Sequence, residues 1–257
     1  MIFIVKKNVK ISSLNYKMFT LILINKNKGH KMKKLTLAIL LLLASFSIVS
    51  AEIGFKIGAS AQVGNFETSG SETENSEVSD KAKESAFVGM ASYFVEQNLG
   101  FLPGPLGRIN LGYAVVPHDL KSGKSSRFVQ DLTVKANISV RVPSTNVISA
   151  TLQNIETLYV SVNITDWLYV KAGTIEMDVK TTESLDTGSD YGNTSLSGDV
   201  LGLGLHHQTE SGFFGRIEYL TTDIGGTTLT STTNADNTVT LDNLDGETVQ
   251  ISFGKAF

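Results

Sequence analysis

From residue 53 onward the chain reads in steps of two, and that rhythm limits what it can fold into more than any other feature. Ile53, Phe55, Ile57, Ala59, Ala61 and Val63 fall on one side of an extended chain, while Gly54, Lys56, Gly58, Ser60, Gln62 and Gly64 fall on the other. A period of two belongs to a β-strand with unlike faces. The last residues repeat it, with Val249, Ile251, Phe253 and Phe257 alternating with Gln250, Ser252, Gly254 and Ala256. Between these ends the same rhythm predicts six more strands, near 86–97, 108–117, 154–164, 167–178, 199–208 and 213–222. Clusters of Gly, Ser, Thr, Asn, Asp and Pro punctuate them. The expected fold is all-β, an antiparallel up-and-down transmembrane barrel of eight strands whose apolar face meets lipid and whose polar face lines the lumen.

The connections support the same reading. Those after the second, fourth and sixth strands are about ten, two and four residues, and those after the odd strands about 20, 36, 20 and 25. Short turns on one side and long loops on the other are what an outer-membrane barrel with both termini in the periplasm requires. In the connection 118–153, residues 133–141 alternate as well. They form either an extracellular hairpin, the preferred reading, or two further spanning strands, which would make ten.

Charge divides the chain. Of its 22 basic residues, nine lysines lie in residues 1–51 and 13 in residues 52–257, whereas all 25 acidic residues lie in residues 52–257. Met32, Lys33 and Lys34 make a charged n-region, Leu35 to Val49 an apolar h-region, and Val49-Ser50-Ala51 a small-residue cleavage site before Glu52. Residues 32–51 therefore read as a helical secretory signal peptide, too short and wrongly flanked for a membrane anchor. Twenty-one of residues 1–31 are Phe, Tyr, Met, Ile, Asn or Lys, residues with AT-rich codons. Lys28-Gly29 would be encoded by a sequence like a ribosome-binding site. Residues 1–31 are thus expected to be a mis-annotated upstream extension, with translation starting at Met32. Residues 52–257 form the barrel. The absence of cysteine excludes a disulfide framework and thiolate metal sites.

The segment Val249-Gln250-Ile251-Ser252-Phe253-Gly254-Lys255-Ala256-Phe257 resembles the C-terminal signature of bacterial outer-membrane β-barrels. The resemblance implies that Val249, Ile251, Phe253 and Phe257 are an assembly signal for the barrel-assembly machinery. Lys255 departs from the pattern, and a lysine at a membrane interface can snorkel. The chain is similar to the small OmpA-transmembrane-domain and OmpX-like group, a porin-like superfamily. That implies the outer membrane as its location, and lipid and lipopolysaccharide as surroundings.

By alternation Lys56, Glu96, Arg108, Arg216 and Glu218 face the lumen. Lys171 joins them, though it shares parity with Trp167 and Tyr169, which are expected in the periplasmic aromatic girdle. An eight-stranded barrel has room only for its own side chains, so these charges are expected to pair as a plug. Glu67, Glu72, Glu74, Glu77, Asp80 and Glu84 make the first loop acidic, and Lys121, Lys124, Arg127, Lys135 and Arg141 make the third connection basic.

No HExxH, GxSxG or P-loop occurs. Gly202 and Gly204 lie inside a strand with no helix after them, which voids a dinucleotide fingerprint. No enzyme activity, cofactor, metal or nucleic-acid partner is expected. The expected role is structural or surface-interacting through long extracellular loops. The alternatives are a narrow porin or, less favoured, a rim hydrolase using His118.

Overall fold

The computed structural model describes residues 54–74, 77–78, 82–121, 125–135, 138–184 and 189–257, without side chains at 74, 77, 82, 125–135, 138–148 and 183–184. The upstream extension, the signal peptide with its Ala51–Glu52 cleavage site, and Ile53 lie outside the described residues. So do Asp80, Lys124 and the side chains of Glu74, Glu77, Arg127, Lys135 and Arg141.

Thirteen strands are described: β1 Phe55–Glu74, β2 Glu77–Val78, β3 Ala82–Asn98, β4 Ile109–Val116, β5 Leu120–Lys121, β6 Ser125–Lys135, β7 Ile138–Asn163, β8 Leu168–Ser184, β9 Thr194–Gln208, β10 Phe213–Ile224, β11 Thr227–Thr230, β12 Thr238–Leu241 and β13 Leu244–Ala256. Eight of them close a ring of antiparallel ladders in the order β1, β13, β10, β9, β8, β7, β4, β3 and back to β1. These eight coincide with the strands the sequence rhythm predicts, and most extend beyond them on the loop side.

The pairing register measures the barrel's shear. Asn65 pairs with Glu247, then Thr221, Leu201, Ala172, Val160, Leu111 and Gln97 follow in turn, and Gln97 pairs with Phe55. One circuit thus returns to β1 ten residues lower. At ~3.3 Å per residue and ~4.8 Å between strands, eight strands with this shear tilt by about 40° and form a cylinder about 8 Å in backbone radius.

Three tight connections close one end. Asn98 to Ile109 contains a 3-10 turn, Gly104–Arg108, with Gly104 at φ 68°. Between Asn163 and Leu168, the Thr165 hydroxyl accepts from Leu168 N at 3.0 Å. Between Gln208 and Phe213, Gly212 takes φ 86° and its N–H donates to Thr209 O. At the other end the strands overshoot. Among the described residues β6 pairs only with the outer part of β7, from Lys135↔Ile138 to Ser125↔Ile148. The doubtful stretch is therefore a hairpin above the wall, and the ten-strand alternative falls. The β11–β12 hairpin adds to the top of β1.

Inside β7 the register slips, with Gln153↔Asp178 followed by Glu156↔Glu176. Two β7 residues there face one residue of β8, which is a β-bulge. Asn154 sits in it at φ 52°, a conformation asparagine tolerates, and its Nδ2 donates to Asp178 at 2.7 Å. The bulge inverts the alternation: Ile155 and Tyr159 point inward below it, and Leu152 points inward above it.

Candidate functional site

Outside, the wall sorts by height. Ile57, Val63, Leu111, Val160, Val170, Leu201, Leu203, Leu205, Ile217, Tyr219, Val249 and Ile251 are exposed apolar residues on the strands. Trp167, Phe213 and Phe257 ring the turn end, each more than half exposed, and Lys255 Nζ lies 5.2 and 5.4 Å from the Phe213 and Phe257 ring centres. At the opposite boundary the outward positions turn acidic, with Glu156, Glu176, Asp199, Asp223 and Glu247 on neighbouring strands. With the register above, this acidic belt stands about 20–25 Å above the aromatic girdle, the height of a barrel's apolar band. Higher still, Lys83 pairs with Glu67 at 2.7 Å, and its ammonium holds that carboxyl below the usual carboxylate range.

Inside, a charge network crosses the lumen in its turn-side half. Arg216 gives Nη1 and Nη2 to the two oxygens of Glu96, both at 2.5 Å, and Glu96 also accepts from Tyr159 Oη at 2.8 Å. Lys171 Nζ reaches Glu218 Oε1 at 3.0 Å and sits 4.0 Å above the Tyr159 ring. Glu218 Oε2 accepts from Gln250 Nε2. Lys56 donates to Asn110 Oδ1 at 3.4 Å, and Asn110 donates to Ser161 at 3.3 Å. The Arg216 guanidinium lies between Phe214, Phe94 and Tyr169, 4.7, 5.4 and 5.5 Å from their ring centres. All five charges are at most 8% exposed.

The rings fit because glycines face them. Phe94 lies over Gly58, Tyr159 over Gly112, Tyr169 over Gly204 and Phe214 over Gly254, each glycine being the ring's cross-strand partner. A side chain at any of these glycines would collide with the ring, so the small residue on one strand creates the space its neighbour fills.

Lys56, Glu96, Lys171, Arg216 and Glu218 are brought together, and Arg108 is not. Arg108 is exposed and donates to Ile164 O at 3.1 Å, because the 3-10 turn runs through it and regular alternation starts only at Ile109. Asn110 takes the inward place instead. Tyr169 also corrects the reading: it is 3% exposed and shares the lumen with Lys171, while Trp167 lies in the turn before β8, which removes the parity conflict. Tyr159, Asn110, Gln250, Ser252 and Ser161 were missed, although they stand at the inward positions of their strands. His118 offers Nε2 to the backbone N–H of Ala91 at 3.1 Å, so the lone pair a general base would use is engaged. Among the described residues no group of three His, Asp or Glu stands placed for a metal ion.

Above the network the lumen opens into a cavity of about 1160 Å³. Its floor is Tyr159, Lys171, Arg216, Glu218 and Gln250. Its upper wall is apolar, built on Ile155, Met177 and Leu196 with Leu152 and Val179, a cluster that the fully buried Ile224 completes.

No protein-family model matches the chain, and no curated protein matches it in sequence. Among solved structures it is similar to the outer membrane protein OprG from Pseudomonas aeruginosa, at 10% identity over 81% of this chain and 98% of that one, with a TM-score of 0.43. It is similar to Neisserial surface protein A, at 9% identity over 81% and 100%, TM-score 0.35. It is also similar to the outer membrane protease OmpT from Escherichia coli, at 8% over 82% and 100%, TM-score 0.36. This chain has the fold of an eight-stranded transmembrane β-barrel, shown by its own closed ring and exposed apolar outer face. At such low identities and TM-scores, none of those proteins passes a role on to it. The barrel is instead defined by its own closed ring, its apolar band and its charged interior.

Proposed function

We propose that the barrel is a membrane-anchored surface protein, shut to through-flow and working from its outer face. The observation that carries this reading is the network of Glu96, Arg216, Lys171, Glu218 and Lys56 across a cylinder about 8 Å in backbone radius. Every charge in it has a protein partner within hydrogen-bond reach. Removing one partner would strand another charge away from bulk water, so the plug resists opening.

The loop end then carries the protein's contacts: the overshooting hairpins, the acidic belt and lipopolysaccharide as the surrounding lipid. Export through the signal peptide of residues 32–51, cleavage after Ala51, and recognition of Val249, Ile251, Phe253 and Phe257 by the assembly machinery belong to the same reading. Those four side chains all face outward and are exposed, as a signal read from outside must be.

Conductance of the refolded protein in planar bilayers tests the closed lumen. The wild-type protein is expected to give no stepwise current in 1 M KCl. Regular single-channel steps from it would overturn the reading in favour of a narrow porin.

A further inference from the structure

The ladders around the ring are not equally long. β3 pairs with β1 all the way from Phe55↔Gln97 to Gly70↔Ala82, but with β4 only from Asn98↔Asn110 to Tyr93↔Val115. Beyond Val116 the chain turns away, and β5 and β6 follow β7. Among the described residues, β3 from Ala82 to Ser92 has no ladder on its second edge. The wall has a slot there, between β3 and the segment Val116–Lys121. By the register above, Ala91 stands about 18 Å above Phe55, at the lower edge of the acidic belt.

An open strand edge is not tolerated within the hydrocarbon layer, because lipid cannot satisfy its peptide groups. At the boundary it is tolerable, and its deepest N–H, that of Ala91, is capped by the His118 imidazole. Both banks of the slot, Glu84–Met90 on one side and Val115, Val116 and His118–Lys121 on the other, line the cavity described above. The cavity therefore reaches the side of the barrel at the level where acyl chains meet headgroups.

We propose that this cavity is a binding site for an uncharged molecule with a hydrocarbon chain, admitted from the outer leaflet through the slot that His118 latches. The chemistry of the lining selects that class. The far wall, facing the slot, is Leu196, Val200 and Leu220 on β9 and β10, flanked by Met177 on β8, a residue type that adapts to varied shapes. The floor offers hydrogen-bonding groups but no free charge, since Arg216 is held by Glu96 and Lys171 by Glu218. A charged head seated on the floor would meet no counter-ion, since the other charged lining residues, Glu84, Asp119 and Lys121, stand on the banks of the slot, whereas a hydroxyl can share existing hydrogen bonds. The volume, about 1160 Å³, is somewhat larger than the ~300–1,000 Å³ of ordinary small-molecule pockets and suits a flexible chain. The proposal goes beyond the surface role and does not depend on whether current flows.

The test uses the barrel in phospholipid nanodiscs with a twelve-carbon alcohol carrying a diazirine in its chain, photolysed and mapped by mass spectrometry. Saturable labelling of Met177, Leu196 or Val200, removed by excess 1-dodecanol, is the expected result. Lipid-facing Leu203 should be labelled in proportion to the probe and stay insensitive to competitor. Label confined to outward residues would overturn the site. Val200→Phe, with Leu220→Phe as a second variant, should reduce the inner labelling at least fivefold with the outer labelling unchanged; a variant counts only if it still shows heat-modifiable migration. His118→Ala should speed inner labelling severalfold, and an unchanged rate would overturn the lateral route.

Discussion

Glu96 is the residue on which most of the lumen turns. It accepts both Arg216 Nη groups and the Tyr159 hydroxyl, and it is fully buried. A bidentate guanidinium–carboxylate pair is geometrically exacting, and here three aromatic rings also fix the guanidinium plane. Replacing one member leaves the other charged and without its partner, a loss of about 3–5 kcal/mol for buried pairs. Glu96→Gln is therefore expected to destabilise the barrel by that amount in urea titrations of the protein in lipid vesicles. Arg216→Met added to Glu96→Gln should recover most of the loss, because the double variant leaves no stranded charge. If the double variant is as unstable as the sum of the two single variants, the two side chains are not coupled and the network is not the structural plug.

At the scale of the element, what decides a strand's fate is whether its alternation is unbroken. All eight wall strands were legible in the sequence because one face is apolar throughout the membrane. Their outer ends were less so, because above the acidic belt no lipid requires an apolar face, and where alternation persists, as at 133–141, it does not tell a spanning strand from a hairpin above the wall. β7 shows the failure most clearly. The sequence rhythm starts it at 154, where the Asn154 bulge inverts the faces, so the residues before it, Leu152 among them, look out of phase although the strand continues. The five charges at inward positions were legible by parity alone, whereas the aromatic and amide groups that hold them were not, since a ring facing a cross-strand glycine is a three-dimensional complement. Arg108 misled because parity was extended one residue into a 3-10 turn. Among the described residues, the outer hairpin built from β6 and the first part of β7 pairs with the ring only through β8, at Val147↔Ser184 and Ile148↔Glu183 and onward. Replacing residues 126–146 by Gly-Ser-Gly is therefore expected to leave heat-modifiable migration intact and to shift the urea midpoint little. Loss of the folded, fast-migrating band would show that the hairpin belongs to the wall.

For the whole molecule, stability and placement come from matching one cylinder to one bilayer. The apolar band runs from the ring of Trp167, Phe213 and Phe257 to the belt of Glu156, Glu176, Asp199, Asp223 and Glu247, a span of about 20–25 Å. On β9 the two environments are only four residues apart: Leu203 is exposed beside Val170 and Tyr219 near the middle of the band, and Asp199 lies in the acidic belt. Both face outward, so both can be changed without touching the lumen. An arginine on the lipid face costs about 2–4 kcal/mol at the midplane and about 0–1 near the interface. Leu203→Arg should accordingly lower folding stability in phospholipid vesicles by about 2–4 kcal/mol, whereas Asp199→Arg should lower it by less than about 1, its new charge also meeting the acidic neighbours Asp223 and Glu247. Thinner bilayers should shrink the Leu203 penalty, because a shallower hydrocarbon layer lets the guanidinium reach water. Equal penalties at the two positions, or a Leu203 penalty that ignores bilayer thickness, would mean that the outward face of β9 does not lie in lipid as the belt and girdle place it.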